Sequence, residues 1–220
     1  MTYLFGNILL LIPWLFFYLL RKDLRREMLI MSIMSSPFAM FDIFFVPNYW
    51  VPTTLFNIPV GVEGFIFSFF IGGLSAVSYA EISKRTNVRL KEHHKKILIG
   101  IVLFIPLFIF LLNLYNFPNV MISAYLAMCI GIFLIVLFRR DLIKSILLGA
   151  FSFGTIYTVC FFIILQLAPT FKHWFILDGL PKLYLLNIPI YEIIFAVLFA
   201  AYWGSLYEII FEYKYSSRKL

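Results

Sequence analysis

Charged residues are scarce in this sequence. Asp, Glu, Lys and Arg make up only 13% of the 220 residues, whereas 63% are apolar and the mean hydropathy is +0.96. A soluble domain cannot bury so much apolar surface, so the composition excludes an ordinary soluble fold. A bilayer accommodates such surface, and too few polar residues are left to form a separate soluble module. We therefore expect a single membrane domain over residues 1–220.

Residues that usually hold metals and cofactors are also few. Cys129 and Cys160 lie in apolar runs, which is typical of small apolar side chains rather than of a disulfide or a metal site. The three histidines, His93, His94 and His173, lie between the runs, which excludes a haem-type ligand pair inside the membrane. There is no glycine-rich nucleotide loop, and no lysine lies mid-membrane in the last run, where a retinal Schiff base would need one. We expect no metal and no cofactor.

Apolar runs dominate the chain. A membrane-spanning helix needs roughly 20 mostly apolar residues. Seven runs meet this requirement, at about 3–20, 28–46, 60–82, 97–115, 119–138, 143–168 and 186–211. The first run ends on a basic cluster and has no signal-peptidase cleavage pattern, so we expect it to be retained as a span.

Basic residues are concentrated in alternate loops. Sixteen of the 18 Lys and Arg residues lie at 21–27, 83–96, 139–144 and from Lys214 onwards. By the positive-inside rule these segments are cytoplasmic. With seven spans, the N-terminus is then outside and the C-terminus inside a cell membrane, in a rhodopsin-like all-α arrangement. Because the net charge of +7 is distributed as an orientation signal, we expect contacts with membrane lipids and no nucleic-acid partner.

The chain resembles itself at an offset of 128 residues. This shift superposes the third span on the seventh, with Tyr79 on Tyr207. The similarity predicts two parallel three-helix repeats, residues 1–82 and 119–211, joined by a linking helix at 97–115.

Both of these spans have a stripe of small residues four apart, which lie on one helix face. In lipid such stripes let helices approach closely, so helix packing is the simpler interpretation. A groove for a flat, elongated ligand is the alternative. The stripes are Gly64, Ser68, Gly72, Ala76 and Ala80 in the third span and Ala196, Ala200 and Gly204 in the seventh.

Three carboxylic acids lie inside the predicted spans at a similar depth, toward the outer face. They are Asp42, Glu63 and Glu192. Intramembrane acids are costly, so each needs a reason. Glu63 and Glu192 lie in first helical turns, where the helix dipole stabilises an acid by about 0.3–1 kcal/mol, so capping is one interpretation. The other interpretation is catalytic. In it, two carboxyls share one apolar pocket, where one donates a proton and the other accepts one.

The segments around the two glutamates resemble a known family. Gly61–Phe67 and Pro189–Phe195 look like two copies of the Pro-x-Glu-Glu-x-x-Phe signature of the lycopene cyclase domain, the membrane-embedded carotenoid cyclases. Asp42 followed by Trp50-x-Pro52 is similar to the Asp…Trp-x-x-Pro segment of that domain. The segment Trp-Gly-Ser-Leu-Tyr-Glu at 203–208 is similar to the ending found in an uncharacterised branch of the family.

Each copy of the signature keeps one acid where the family has two. Glu63 occupies the first acidic position of the first copy, and Gly64 replaces the second. In the second copy Tyr191 replaces the first acid and Glu192 occupies the second.

The resemblance implies an isomerase that converts the acyclic ends of lycopene into β-rings. The expected chemistry is protonation of the terminal double bond, ring closure through a tertiary cation and loss of a ring proton, which needs an acid, a base and a dry pocket. The catalytic residues that it implies are Glu63, Glu192 and Asp42. The residues that it implies for binding an apolar polyene or lipid are Trp50, Tyr191, Phe67 and Phe195.

Two other functions stay open at this point. A non-catalytic carotenoid-binding or scaffold protein could have the same fold, as the halved acidic motifs suggest. A transporter would also explain the repeat and the intramembrane acids, but the broken-helix pattern of transporters is lacking. The sequence leaves both a monomer and a homodimer open.

Overall fold

Helices form most of the chain that the structure, a computed structural model, describes, namely residues 2–83, 85–89 and 96–217. The α-helices of this part are α1 Thr2–Leu20, α2 Arg25–Ser35, α3 Asp42–Phe45, α4 Val62–Ser83, α5 Lys96–Asn113, α6 Val120–Phe138, α7 Ile143–Leu167, α8 Ile190–Trp203 and α9 Leu206–Ile210. The 3₁₀ segments are Ser36–Phe41, Arg140–Leu142 and Pro169–Trp174. The strands are β1 Arg85–Arg89, β2 Tyr184–Leu185, β3 Ile188–Pro189 and β4 Tyr213–Ser217, with β1 antiparallel to β4 and β2 antiparallel to β3. The predicted all-α fold is confirmed.

Six helical segments of the described chain are long and apolar enough to cross a membrane. They are Tyr3–Leu20, Arg25–Phe45, Val62–Tyr79, Val120–Phe138, Arg140–Leu167 and Ile190–Ile210. A shorter apolar helix, Ile97–Asn113, coincides with the fourth predicted span. The protein is therefore a multi-pass membrane protein by length and composition. The count of seven, the two repeats and the orientation stay predictions.

The second span changes its helix type halfway. It begins as α2, continues as the 3₁₀ segment Ser36–Phe41 and ends as the short α3. Pro37 explains the change, because proline has no N–H for the helical hydrogen bond and disfavours α geometry in the residue before it. Asp42 begins α3, immediately after this segment.

Helix α4 packs against α1, α2, α7 and α8. Its small residues allow close approach. A methyl group on Gly72 would collide with the side chain of Ser35 in α2. A methyl group on Gly204, which follows α8, would lie 2.6 Å from the main-chain carbonyl oxygen of Ser75 in α4. At these positions the stripes serve helix packing, because a side chain larger than hydrogen does not fit.

Two loops cross at the end of the molecule that is predicted to face outside. The N–H of Val51 donates to the carbonyl of Trp174 (2.7 Å), and the N–H of Ile176 donates back to the first loop (2.6 Å). We call these paired segments, residues 49–51 and 174–176, the strap. The strap joins the loop after the second span to the loop before the last one.

The opposite end is held by buried polar side chains. The Tyr79 hydroxyl of α4 donates to Oε1 of Glu208 in α9 (2.6 Å). Arg139, at the end of α6, pairs with Asp141 (2.8 Å) and donates to the main-chain carbonyl of Glu208 (3.3 Å). These contacts tie α4, α6 and α9 together. Residues 84 and 90–95 of the predicted basic loop, including both of its histidines, lie outside the described residues.

Candidate functional site

A cavity of about 480 Å³ lies between the helices, beneath the strap. Its size is in the range of sites that bind small molecules, roughly 300–1,000 Å³. The wall is largely apolar, and aromatic rings from most of the surrounding helices contribute to it. Among these are Phe41 and Phe45 of the second span, Phe67 of α4, Phe110 of α5, Tyr157 of α7 and Phe195 of α8. An extended apolar molecule suits such a wall better than a polar one.

Glu192 is one of the two carboxylic acids in the cavity wall. It lies in the first turn of α8 and is 7% exposed. The Tyr49 hydroxyl donates to Oε1 (2.8 Å), and the Tyr157 hydroxyl donates to Oε2 (2.7 Å). Both oxygens therefore act as acceptors, which is the hydrogen-bonding pattern of a carboxylate.

Tyr49, which lies in the strap, keeps its proton. Burial and the neighbouring Glu192 carboxyl raise the pKa of Tyr49, so its hydroxyl remains a donor to that carboxyl. The strap thus both covers the cavity and supplies one of the two donors to Glu192.

Asp42 is the other acid in the wall. Its side chain is half-buried and receives no hydrogen bond from the described residues. Oδ2 of Asp42 lies 2.6 Å from the point that a Cβ on Gly64 would occupy. Gly64 stands at the second acidic position of the family signature, so the absence of a side chain there leaves room for the Asp42 carboxyl.

Tyr3 of α1 also lines the cavity. It is within electrostatic range of Asp42, Glu63 and Glu192, and its ring meets that of Trp50 edge-on at 4.9 Å. The Tyr3 hydroxyl is buried and has no hydrogen-bond partner among the described residues. It is a further polar group in the same wall.

Glu63 does not line the cavity. It is 1% exposed, and its Oε1 accepts a hydrogen bond from the N–H of Leu55 (2.6 Å) in the loop before α4. Asn7 of α1 donates to the main-chain carbonyl of Glu63 (2.9 Å). The other carboxyl oxygen has no partner among the described residues. The structure therefore brings Asp42 and Glu192 to one cavity and holds Glu63 in the packing beside it.

Three of the four aromatic residues that the resemblance implied for substrate binding line the cavity, namely Trp50, Phe67 and Phe195. The fourth, Tyr191, lies outside the lining. Its hydroxyl donates to the carbonyl of Pro181 (2.8 Å) in the loop before α8.

Sequence reasoning missed the tyrosines that surround the acids. Tyr3, Tyr49 and Tyr157 come from three separate elements, and only the fold brings them to Glu192 and Asp42. One signal was available, since a tyrosine hydroxyl in an apolar setting normally finds a hydrogen-bond partner. Within the described residues no group of three or more His, Cys, Asp or Glu side chains is placed to hold a metal ion.

Comparison with known proteins bears on the second part of the chain. A family model described as lycopene cyclase matches residues 119–210, from the residue before α6 to the end of α9. The match includes Glu192 and its partner Tyr157. No curated protein and no solved structure matches the chain. The resemblance to the lycopene cyclase family is confirmed over residues 119–210, which contain the second copy of the signature.

Proposed function

We propose that this protein is a membrane-embedded cyclase that forms rings at the ends of isoprenoid polyenes, with Asp42 as general acid and Glu192 as general base. One observation carries the proposal. Two carboxyls in opposite hydrogen-bonding environments line a single aromatic cavity. A general acid and a general base that differ in environment are what acid-catalysed isomerisation needs.

Asp42 suits the role of acid. Its carboxyl lies in an apolar wall without a described donor, and an isolated buried charge is costly. The protonated form is therefore the one that this environment accommodates. In a dry site the acid keeps its proton until the substrate is bound, and no water competes with the double bond for that proton.

Glu192 suits the role of base. Hydrogen bonds from Tyr49 and Tyr157 stabilise its charged form, because bonds to a charged acceptor are worth about 1.5–3 kcal/mol each. A carboxylate in the cavity can accept the proton that a cyclic cation must lose.

The reaction is an isomerisation without an oxidant or reductant. Asp42 gives its proton to the terminal double bond, and the resulting tertiary cation is attacked by the π electrons of a nearby double bond, which closes the ring. The ring cation then loses a proton to Glu192, and a new double bond forms. One proton returns from Glu192 to Asp42 through exchange with solvent before the next turnover.

Aromatic rings in the wall support the cationic stage. A cation over the face of an aromatic ring is stabilised by about 0.5–2 kcal/mol when it is desolvated. Phe41 and Phe45 each pack against Phe110 in the wall that also holds Asp42, with ring centroids 5.5 and 6.1 Å apart. We propose that they, with Trp50, Phe67 and Phe195, bind the polyene.

For Glu63 we propose a supporting role, since its carboxyl holds the loop before α4 through Leu55. This differs from the pairing of Glu63 with Glu192 that the signature alone suggests. The two assignments predict different variants to be inactive.

Expression in a lycopene-accumulating host tests the proposal. The wild-type protein is expected to yield β-ringed pigments, and Asp42→Asn and Glu192→Gln to abolish them at equal folded yield. Glu63→Gln is the matched variant and is expected to retain ring formation per folded molecule. Loss of rings in Glu63→Gln but not in Asp42→Asn would reverse the assignment. Unchanged lycopene with folded wild-type protein would contradict the cyclase itself, and lycopene that co-purifies would then indicate a binding protein.

A further inference from the structure

The cavity is covered on the side that is predicted to face outside. The strap lies over it, and Tyr49, Trp50 and Phe175 of the strap line the wall from that side. The two main-chain bonds of the strap together form an isolated antiparallel bridge between Trp50 and Phe175. A substrate cannot enter from this side without breaking these contacts.

The other end is closed by helix packing. Beyond the lining residue Ser35, helices α2 and α4 approach so closely at Gly72 that a methyl group does not fit. Next to this contact the indole N–H of Trp14 donates to the Ser32 hydroxyl (3.1 Å). The cavity therefore has no wide route along the membrane normal at this end either.

The side of the cavity is different. Only two of its lining residues are exposed, Phe38 at 42% and Phe104 at 68%. Phe38 lies in the 3₁₀ segment of the second span, and Phe104 lies near the middle of α5. Because both belong to apolar helical segments that are expected to lie in the membrane, their exposed faces meet lipid rather than water.

Aromatic contacts close this side of the cavity toward the strap. Phe110 of α5 meets the rings of Phe41, Phe44 and Phe45 at 5.5 to 6.1 Å, which joins α5 to the end of the second span. Phe104 lies six residues earlier in α5, roughly 9 Å along the helix axis. Phe38 lies three residues before Phe41 in the second span, and its ring contacts that of Trp203 (5.1 Å).

We propose that the cavity is loaded sideways from the bilayer, through an opening between the 3₁₀ segment Ser36–Phe41 and α5 that Phe38 and Phe104 border. The occupant is an isoprenoid chain dissolved in the membrane, whose reacting end reaches Asp42 and Glu192 while the remainder extends through the opening into lipid. The nature of the occupant rests on the proposed function, whereas the opening does not.

Thiol labelling tests the opening without any need for activity. Ser68 on the central helix α4 is 8% exposed and lines the cavity. S68C is made in a chain in which Cys129 and Cys160 are replaced by alanine, and is reconstituted in liposomes. A long-chain maleimide dissolved in the lipid is expected to label it, and a charged, water-soluble methanethiosulfonate is not. S75C is the matched control, because Ser75 lies on the same face of α4, is fully buried and does not line the cavity.

A plug identifies the route. Leu107 of α5 lines the cavity, and Leu111 is one turn farther along, 44% exposed and outside the lining. Leu107→Trp is expected to slow labelling of S68C by the lipid-dissolved maleimide severalfold, whereas Leu111→Trp leaves the rate unchanged.

Phe104→Ala, which widens the opening, is expected to raise the rate of labelling, with Phe108→Ala as its control. Labelling by the charged reagent at the same rate, or rates that are equal in all α5 variants, would overturn the proposal. Neither result depends on whether the protein forms rings.

Discussion

At the scale of single residues, hydrogen bonding separates two acids that share one wall. Glu192 has a tyrosine hydroxyl on each carboxyl oxygen, whereas Asp42 lies in apolar surroundings next to Gly64. Desolvation disfavours charge on both, and only Glu192 has donors that offset it. The difference between the two environments is thus produced by neighbours rather than by the acids themselves.

Removal of the donors to Glu192 is expected to favour its protonated form, which cannot accept a proton. Tyr157→Phe deletes one bond to the carboxylate, and a loss of 1.5–3 kcal/mol lowers ring formation by about ten- to a hundredfold. Tyr49→Phe acts in the same way from the strap. The measurement is the rate of ring formation per folded molecule in isolated membranes.

Tyr125→Phe is the control for these variants. Its hydroxyl donates to the main-chain carbonyl of Tyr191 (2.6 Å) and not to a carboxyl. Equal rates in the Tyr125, Tyr157 and Tyr49 variants would mean that the bonds to Glu192 have no part in the chemistry.

The sequence predicted the acids of the wall more readily than their partners. Asp42 and Glu192 could be singled out because charge inside an apolar run is rare. Tyr49 and Tyr157 could not, since they lie 143 and 35 residues from Glu192 and aromatic residues are common throughout the chain. The position of Glu63 outside the lining also depends on a local turn, in which its side chain folds back to Leu55.

At the scale of helices, glycine contacts fix α2 and Asp42 against the central helix. Gly72 meets Ser35 directly before the 3₁₀ segment, and Gly64 meets Asp42 directly after it. Both contacts lie on one face of α4, because the two glycines are eight residues apart. The stripe of small residues therefore sets the depth and direction in which Asp42 enters the cavity.

Gly72→Ala is expected to destabilise the protein. The added methyl group collides with Ser35, and overpacking of this kind costs about 1–3 kcal/mol. Gly100→Ala in α5 is the matched control, because its new methyl group would have only Phe104 near it, at 3.9 Å. Removal of a helical glycine there should leave stability unchanged or raise it by up to about 1 kcal/mol. The midpoint of thermal unfolding in detergent, followed by size-exclusion chromatography, measures the stability of both variants. Equal midpoints for Gly72→Ala and Gly100→Ala would contradict the packing argument.

Helix positions followed from hydropathy, but helix geometry did not. The apolar runs at 28–46 and 186–211 predicted two spans, and both are found as interrupted helices. Pro37 gave a local reason for the first interruption. The second, between α8 and α9, places Gly204 against Ser75 of α4, a contact that depends on the tertiary fold.

At the scale of the whole molecule, the cavity needs both halves of the chain. The family match begins at residue 119, so it contains Glu192 and Tyr157 but not Asp42, Tyr3 or Tyr49. The strap and the cavity wall join these two groups.

Orientation is the whole-molecule property that the charge pattern predicts. A fluorescent protein fused to the C-terminus is expected to be fluorescent, because the positive-inside rule places that end in the cytoplasm. Alkaline phosphatase inserted at 115–118, between α5 and α6, is expected to be active, and the same insertion at 90–95 to be inactive. The reverse pattern of phosphatase activity would show that the orientation is inverted.

The central claim is that ring formation begins with a proton from Asp42. Membranes that contain the protein are incubated with lycopene in deuterated buffer, and the products are analysed by mass spectrometry. If Asp42 supplies the proton, wild-type membranes yield β-ringed products with one solvent deuterium for each ring, and membranes with Asp42→Asn at equal folded yield form none. Ringed products without deuterium, or deuterated rings from the Asp42 variant at the wild-type rate, would contradict it.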